Sequence, residues 1–156
     1  QYLALQDYDP GKKEGRLHAA YGETLGYYAD WANVNADEIR ERNALHRGRA
    51  LQPGRSLVIP LQVTPDAFFQ QRVQFHQARE SLFLASYTVT ERIPVRMQRG
   101  QSLWSLAQSH NVPMWLIYHE NPELLDRPPQ AGSTVILPHV VEAVASSANP
   151  NAGSGN

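Results

Sequence analysis

Apolar and turn-forming positions between residues 95 and 138 predict a strand, two short helices and a second strand. Val95–Gln98 is an extended segment that leads to a glycine turn, and Ser102 then stands where a helix N-cap belongs. The apolar residues that follow recur at the spacing of one helix face: Leu103, Leu106 and Ala107. Asn111–Pro113 ends this helix, a second short helix follows, and the apolar run Val135–Pro138 predicts the last strand.

The same pattern occurs 78 residues earlier, in residues 17–60, and the two copies align without a gap. The matching features are the loops Gly22–Leu25 and Gly100–Leu103, the asparagines Asn43 and Asn121, and the apolar runs Leu57–Pro60 and Val135–Pro138. We expect each of these asparagines to end the second helix of its copy in the left-handed conformation, which asparagine tolerates. The sequence therefore predicts a duplicated βααβ unit whose two strands pair antiparallel.

The predicted fold class is α+β, with two small βααβ units joined by a helix-containing segment. A helix is expected to start at Thr64-Pro65-Asp66 and to run to about Ala85, because the start offers a cap, an early proline and an acid at the positive end. Its apolar stripe, which is expected to be core, comprises Phe68, Phe69, Val73, Phe75, Leu82 and Phe83. The predicted organisation is a lead-in over 1–16 with a strand at Tyr2–Leu5, a first unit over 17–60, a connector over 61–92 with a strand at Tyr87–Thr90, a second unit over 93–138, and a largely disordered tail over 139–156.

Composition excludes several kinds of function. The formal net charge is −1 and charges of both signs are mixed along the chain, which argues against electrostatic binding of nucleic acid or of an anionic membrane. The absence of cysteine removes disulfides and thiol chemistry, and no apolar run approaches the roughly 20 residues that span a bilayer. The six histidines show no metal-ligand spacing. We predict no cofactor, no metal site and no catalytic residue, and the oligomeric state is left open.

The ordered set of motifs resembles the LysM family. Its pattern is an extended opening, a G-[DE]-[ST]-L turn, a helix, an N-V break, an asparagine after the second helix and a P-G-x-x-L-x-I-P close. The first copy is similar from Leu17 to Pro60 and the second from Val95 to Pro138. The copies depart from the pattern where Gly26 stands in place of the tryptophan found as Trp104, and where Ala131 replaces a proline. The general layout is also similar to the C-terminal part of membrane-bound lytic murein transglycosylases of the D type.

This resemblance implies non-catalytic binding of polymers that contain N-acetylglucosamine, either peptidoglycan or a chitin-like chain. In the family the sugar lies between the loop after the first strand and the loop before the second. Carried over by position, the implied site residues are Gly22, Glu23, Thr24, Leu25, Leu51, Gln52, Pro53 and Gly54 in the first copy, and Gly100, Gln101, Ser102, Leu103, Pro129, Gln130, Ala131 and Gly132 in the second. The glycines also serve the turns themselves, whether or not a sugar binds.

Peptidoglycan is the expected target, and the expected role is to anchor or target a cell-wall protein in the periplasm or at the wall. Two alternatives stay open: a protein-interaction scaffold of the envelope, and an accessory region of a lytic transglycosylase whose catalytic domain lies elsewhere in a longer parent. Glu80-Ser81 resembles the acid–serine pair of such enzymes, but a solvated glutamate on a helix face is the simpler interpretation. Asp7, Asp9 and Gly11 do not complete a set of calcium ligands.

Overall fold

The computed structural model of the chain describes residues 2–48 and 50–143. The chain divides into two compact units, one of Gln1–Phe75 with Asn121–Pro128 and the other of His76–Glu120 with Pro129–Asn156. Helices and strands are mixed in the described part, so the α+β fold class is confirmed. Both predicted strand pairs are present and antiparallel. Within these residues no helix is both long enough and apolar enough to cross a bilayer.

The first unit contains a three-stranded antiparallel sheet in the order β1 (Gln6–Asp9), β2 (Glu14–His18), β3 (Ser56–Pro60). The lead-in strand therefore lies at Gln6–Asp9, and its prediction at Tyr2–Leu5 was wrong. The reason is a turn: the Asp9 carboxylate accepts hydrogen bonds from the backbone N–H groups of Gly11 and Lys12, at 2.9 and 3.2 Å. Such a local bond reverses the chain and pairs the residues before it with β2. Asp9 is thus a turn residue.

Two short helices, α1 (Leu25–Ala32) and α2 (Ala36–Arg42), connect β2 to β3. Thr24 caps α1 as predicted, because its hydroxyl oxygen accepts a hydrogen bond from the backbone N–H of Tyr27. The helix ends at Asn33, which takes a left-handed φ of 58°. Asn35 then opens α2 with a capping box. The interruption that the sequence predicts between the two helices therefore consists of the C-cap of α1 and the N-cap of α2.

Asn43 ends α2 in a different way from the one predicted. Its φ is −117°, so it is not left-handed, and the positive φ belongs to Ala44. The side-chain amide donates to the carbonyl oxygens of Ile39 and Val58, both at 2.8 Å, and its oxygen accepts from the backbone N–H of Val58 at 2.7 Å. An amide suits this position because it supplies donors and an acceptor together, which ties the helix end to β3. Asn121 in the second copy also has a negative φ, −134°.

Helix α3 (Pro65–Leu84) forms where it was predicted, with Thr64 accepting a hydrogen bond from the backbone N–H of Ala67. Phe68 is fully buried in the core of the first unit and Phe75 packs against that core. The predicted apolar stripe is too long, since Leu82 is 77% exposed. The core that α3 joins is made of Leu17, Tyr28, Ala29, Trp31, Ala32, Ile39, Leu57, Ile59, Leu61 and Phe68.

In the second unit, β4 (Tyr87–Arg96) pairs antiparallel with β5 (Thr134–Glu142), and two helices lie between these strands in the chain. These are α4 (Leu103–His110) and α5 (Met114–Glu120). β4 extends the strand predicted at Tyr87–Thr90 as far as Arg96, and β5 runs past Pro138, so residues 139–142 are strand and not tail. Residues 144–156 of the predicted tail lie outside the described part. Val135 and Leu137, on one face of β5, are buried, as period-two alternation requires.

Candidate functional site

A cleft of about 580 Å³ opens at one end of the first unit, between the loop after β2 and the loop before β3. Seven of the eight residues implied for this copy line it: Gly22, Glu23, Thr24, Leu25, Leu51, Gln52 and Pro53. The remaining lining residues are Tyr21, Gly26, Arg40, His46, Gly48 and Ala50. Two segments that are distant in sequence therefore meet at one concave surface.

Backbone hydrogen bonds hold the two loops together. Gly54 donates to the carbonyl of Ala19 at 2.7 Å, and Ala19 donates to the carbonyl of Arg55 at 2.9 Å. In the second copy Gly132 donates to Met97, and Met97 to Ser133, both at 2.8 Å. Each of these residues stands 78 positions after its counterpart. The duplication seen in sequence is thus also a duplication of loop geometry.

Gly54 is set apart from the cleft by its surroundings. Its φ is +89°, a region that side chains with a Cβ rarely occupy. A Cβ at this position would lie 2.7 Å from the carbonyl oxygen of Leu125, which belongs to the same unit. The same carbonyl lies 3.2 Å from Nδ1 of His18. Gly54 is therefore enclosed by the 121–128 segment and shapes the loop, but it does not line the cleft.

The side chain of Glu23 is turned away from the cleft and completely buried, although its residue lies in the lining. Both carboxylate oxygens bind the guanidinium of Arg72 on α3: Nε contacts Oε2 at 2.7 Å and Nη2 contacts Oε1 at 2.9 Å. Oε1 also accepts from the Ala20 backbone N–H at 2.8 Å and from the Tyr28 hydroxyl at 2.6 Å. Glu23 can thus offer a ligand only its backbone, and its carboxylate fixes the loop.

Arg72 is the residue that the sequence did not identify. It has no exposed surface, and its remaining donors reach the backbone carbonyls of Leu3, at 3.0 Å, and His18, at 2.8 Å. Such a buried charge survives because it is paired and its donors are bonded. Burial raises the pKa of the adjoining Tyr28 well above its usual value, and the nearby Glu23 carboxylate adds to the shift. The loop is therefore anchored to α3 by an ion pair shielded from water.

Arginine and histidine side chains lie at the cleft. Arg40 and His46 line the cleft, and an adjoining cavity of about 370 Å³ is lined by His46 and Arg55. Among the described residues of both linings the only acid is Glu23, whose carboxylate is buried. Arg40 shares the carboxylate of Asp37, at 2.6 Å, with Arg47. Two guanidinium groups therefore compete for one carboxylate at this edge.

In the second copy the corresponding loop is more open. Gln101 accepts from the Gln98 backbone N–H at 2.7 Å, the same bond that Glu23 makes, but Gln101 is exposed. Ser102 caps α4 as predicted. Leu103 is 6% exposed, so its side chain belongs to the core, while the implied residues Gln130, Ala131 and Gly132 are exposed. Among the described residues, the atom nearest to a Cβ on Gly132 would be Nη2 of Arg96, at 4.0 Å.

Trp104, which follows the implied loop, is 62% exposed. Its counterpart is Gly26, which lines the first cleft, so the second copy carries an aromatic surface at the matching position. The departure between the copies was visible in sequence, but its value as a ligand surface depends on exposure, which a helix position alone does not reveal. Two further cavities in the second unit lie elsewhere. They share Phe83 and Tyr87, whose rings stack at 4.9 Å.

No group of three or more potential metal ligands occurs among residues 2–48 and 50–143. Glu80, weighed as a catalytic acid, lies at the surface of the second unit with its carboxylate 3.4 Å from Nε2 of His119. Its side chain is 36% exposed, whereas a glutamate that donates a proton near neutral pH is usually kept in an apolar pocket. The geometry around Glu80 therefore adds nothing to a catalytic interpretation.

Among solved structures, the chain is similar to the spore cortex-lytic enzyme SleL of Bacillus cereus, with 17% identity and a TM-score of 0.32. It is similar to SleL of Bacillus megaterium QM B1551 at 17% identity and a TM-score of 0.28. The alignments cover 81% and 80% of this chain but only 23% and 22% of the enzymes, so the chain spans less than a quarter of their length. No curated protein matches it.

The profile of the LysM domain matches residues 20–60 and 96–138, which together are more than half of the chain. These ranges fall on the two loop-bearing copies described above. LysM domains are binding modules, generally for peptidoglycan and other glycans that contain N-acetylglucosamine. The chain belongs to the LysM family and carries two of its domains.

Proposed function

We propose that this chain binds the glycan strands of peptidoglycan and thereby anchors or targets a cell-wall protein. The observation that carries the proposal is the cleft of the first unit, where seven implied residues from two loops converge in a LysM domain. Peptidoglycan strands are rich in hydroxyl and acetamide groups. A cleft of loop backbone with small apolar walls can supply hydrogen bonds and a surface for acetamide methyls.

Duplication has a physical use in this proposal. One shallow cleft binds a polar ligand weakly, since each hydroxyl must be stripped of water and little apolar area is buried. A second site on the same chain acts at high effective concentration once the first is occupied, provided that the strand reaches both. The matching loop geometry of the two copies supports a second site at Gly100–Leu103 and Pro129–Gly132.

The proposed role is non-catalytic, and the proposed location of the protein is the periplasm or the cell wall. A longer parent that cleaves peptidoglycan, such as a lytic transglycosylase, is compatible with it. A protein-interaction scaffold is the second candidate, favoured by the exposed apolar side chains at the end of α3, where Leu82 and Leu84 are 77% and 48% exposed. The first proposal predicts retention on glycan, and the second predicts capture of a protein.

Retention on insoluble peptidoglycan, chitin and cellulose tests the proposal. Ala50→Trp places a large side chain in the first cleft, which Ala50 lines, and Ala131→Trp does the same in the second loop. Ala131 is not among the described residues with a positive φ, so the backbone at that position tolerates the change. The matched control is Ala67→Trp with Ala78→Trp, at two exposed positions of α3.

We expect the wild-type chain and the control to sediment with peptidoglycan, and the loop double variant to stay in the supernatant with an unchanged circular dichroism spectrum. Equal retention of the loop variant and the control would remove the proposed sites. Release of muropeptides from purified sacculi would overturn the non-catalytic role. Capture of an envelope protein without any retention on glycan would favour the scaffold.

A further inference from the structure

We propose that the first cleft selects an acidic glycan, one whose sugars carry carboxylates, over a neutral N-acetylglucosamine polymer. The inference rests on the proposed function and adds the chemical class of the strand. It starts from two arginines, Arg40 in the lining of the cleft and Arg55 in the lining of its adjoining cavity, with His46 common to both. The chain as a whole has a formal net charge of −1, so a positive cleft is a local arrangement and not a reflection of a basic protein.

Within the cleft lining that the structure describes, no acid has an exposed carboxylate, and Asp37, which binds Arg40, lies outside that lining. The carboxylate of Glu23 is 0% exposed and bound by Arg72, which is also buried and has its own bonds. Arg72 therefore neutralises the Glu23 carboxylate, the acid of the described lining. A ligand entering the cleft meets the backbone of Glu23 and the charge of the arginines at the rim.

Of the two arginines, Arg55 is available to a ligand, whereas Arg40 is already paired with Asp37. In the part of the chain that the structure describes, the side chains of Arg55 and His46 have no ion-pair or hydrogen-bond partner, and both residues are exposed. Arg40 is held by Asp37, which is also bound through both oxygens by Arg47. A guanidinium can bind a carboxylate through two parallel N–H groups, which a neutral hydroxyl cannot reproduce.

The corresponding positions of the second copy have other chemistry. Arg40, His46 and Arg55 align with Tyr118, Leu124 and Ser133, none of which is charged. The second copy instead presents the exposed Trp104. A glycan that carries carboxylates can therefore bind guanidinium groups beside the first cleft, which the second copy does not offer at the aligned positions.

The test compares three soluble oligosaccharides of equal length: a carboxylate-bearing alternating amino-sugar strand, the same strand with its carboxylates reduced to alcohols, and a neutral N-acetylglucosamine oligomer. Binding of the full chain is measured at low and high salt. The variants are Arg55→Gln and Arg40→Gln with Arg55→Gln. The control is Arg16→Gln, an exposed arginine of β2 that lines neither cavity.

We expect the wild-type chain to bind the carboxylated strand about fivefold more tightly than the reduced strand, which is the range for exposed charged pairs. High salt and Arg55→Gln should each reduce that preference, Arg40→Gln with Arg55→Gln should remove it, and Arg16→Gln should leave it intact. Binding of all three strands with no preference would overturn this inference and leave the proposed function standing. Binding of none would overturn both.

Discussion

The loops after the first strand of the two LysM domains share a backbone hydrogen-bond pattern but differ in the side chains that surround them. Glu23 and Gln101 each accept a hydrogen bond from the backbone N–H three residues earlier, at 2.8 and 2.7 Å. Glu23 is then covered by Arg72 and Tyr28, whereas Gln101 remains exposed. The shape of this loop therefore comes from a local side-chain-to-backbone hydrogen bond, which an amide makes as well as a carboxylate. The charge of Glu23 serves the link to Arg72 on α3 and also acts on Tyr28 of α1.

The largest expected effect comes from breaking that link. Arg72→Met should lower the free energy of unfolding of the first unit by about 3–5 kcal/mol, because it leaves a buried carboxylate without its countercharge. Adding Glu23→Gln should recover most of the loss, since no buried charge then remains. The matching change in the second domain, Gln101→Glu, should alter stability by less than about 0.5 kcal/mol, as expected for an exposed site.

Urea unfolding measures these differences in free energy. The unfolding of each unit is monitored by tryptophan fluorescence in a variant that keeps one tryptophan, Trp31 for the first unit or Trp115 for the second. If Arg72→Met and Gln101→Glu cost the same, the two loops are not anchored differently and the comparison fails. If the double variant stays as unstable as Arg72→Met, then Arg72 contributes mainly through the carbonyls of Leu3 and His18.

A second expected difference between the domains appears at high pH. The pKa of Tyr28 is raised by burial and by the Glu23 charge, so the folded state keeps its proton in a range where the unfolded chain loses it. The contribution of Tyr28 to the free energy of unfolding is therefore fully present below about pH 10. It is lost as the pH rises toward the raised pKa, at about 1.4 kcal/mol per pH unit. The counterpart in the second domain is Leu106, which does not titrate.

The urea midpoint between pH 9.5 and 11.5 measures this slope, with Tyr28→Phe as the control. The variant should be less stable at neutral pH, since it loses the 2.6 Å bond to Glu23, but its stability should fall less steeply with pH. Parallel slopes for the wild-type chain and the variant would show that Tyr28 does not carry the effect.

The smallest expected effect concerns Gly26 and Trp104. Trp104→Ala should weaken glycan binding by about tenfold, which is the effect of truncating a tryptophan that becomes covered on binding. Gly26→Trp should strengthen binding by the first domain, because a Cβ there meets its nearest atom at 3.6 Å and has room. It should also stabilise α1 by a few tenths of a kcal/mol.

Titration with a neutral N-acetylglucosamine oligomer measures both changes, and Gly26→Ala separates the helix effect from the ring. If Gly26→Trp and Gly26→Ala bind equally, then an aromatic surface at this position has no part in binding.

The features that were predictable from sequence are those set by local chemistry. Thr24 and Ser102 were identified as caps because a hydroxyl before an apolar helix has one common use. The duplication followed from turn formers and apolar positions at a constant spacing. The convergence of Gly22–Leu25 with Leu51–Pro53 came from the family resemblance, and the cleft brings these residues together.

The features that were missed depend on contacts between distant segments. An arginine on a helix is mostly exposed, so nothing in the sequence marks Arg72 as a partner of a residue 49 positions away. Asn43 was assigned a backbone role because its side chain has no visible partner until β3 is placed beside it. Leu82 was assigned to the core because helical spacing does not tell where the surface that covers a helix ends.

The position of Arg72 affects whether the first domain can be excised and used as an independent fragment. The family match ends at residue 60, so a fragment cut at that boundary would carry Glu23 without the guanidinium that neutralises it. In that fragment the Glu23 carboxylate would have to become hydrated or protonated, whereas in the intact protein it is buried and paired with Arg72. The second domain closes the same turn with a neutral amide of its own, which makes it the better donor for transplantation into another protein.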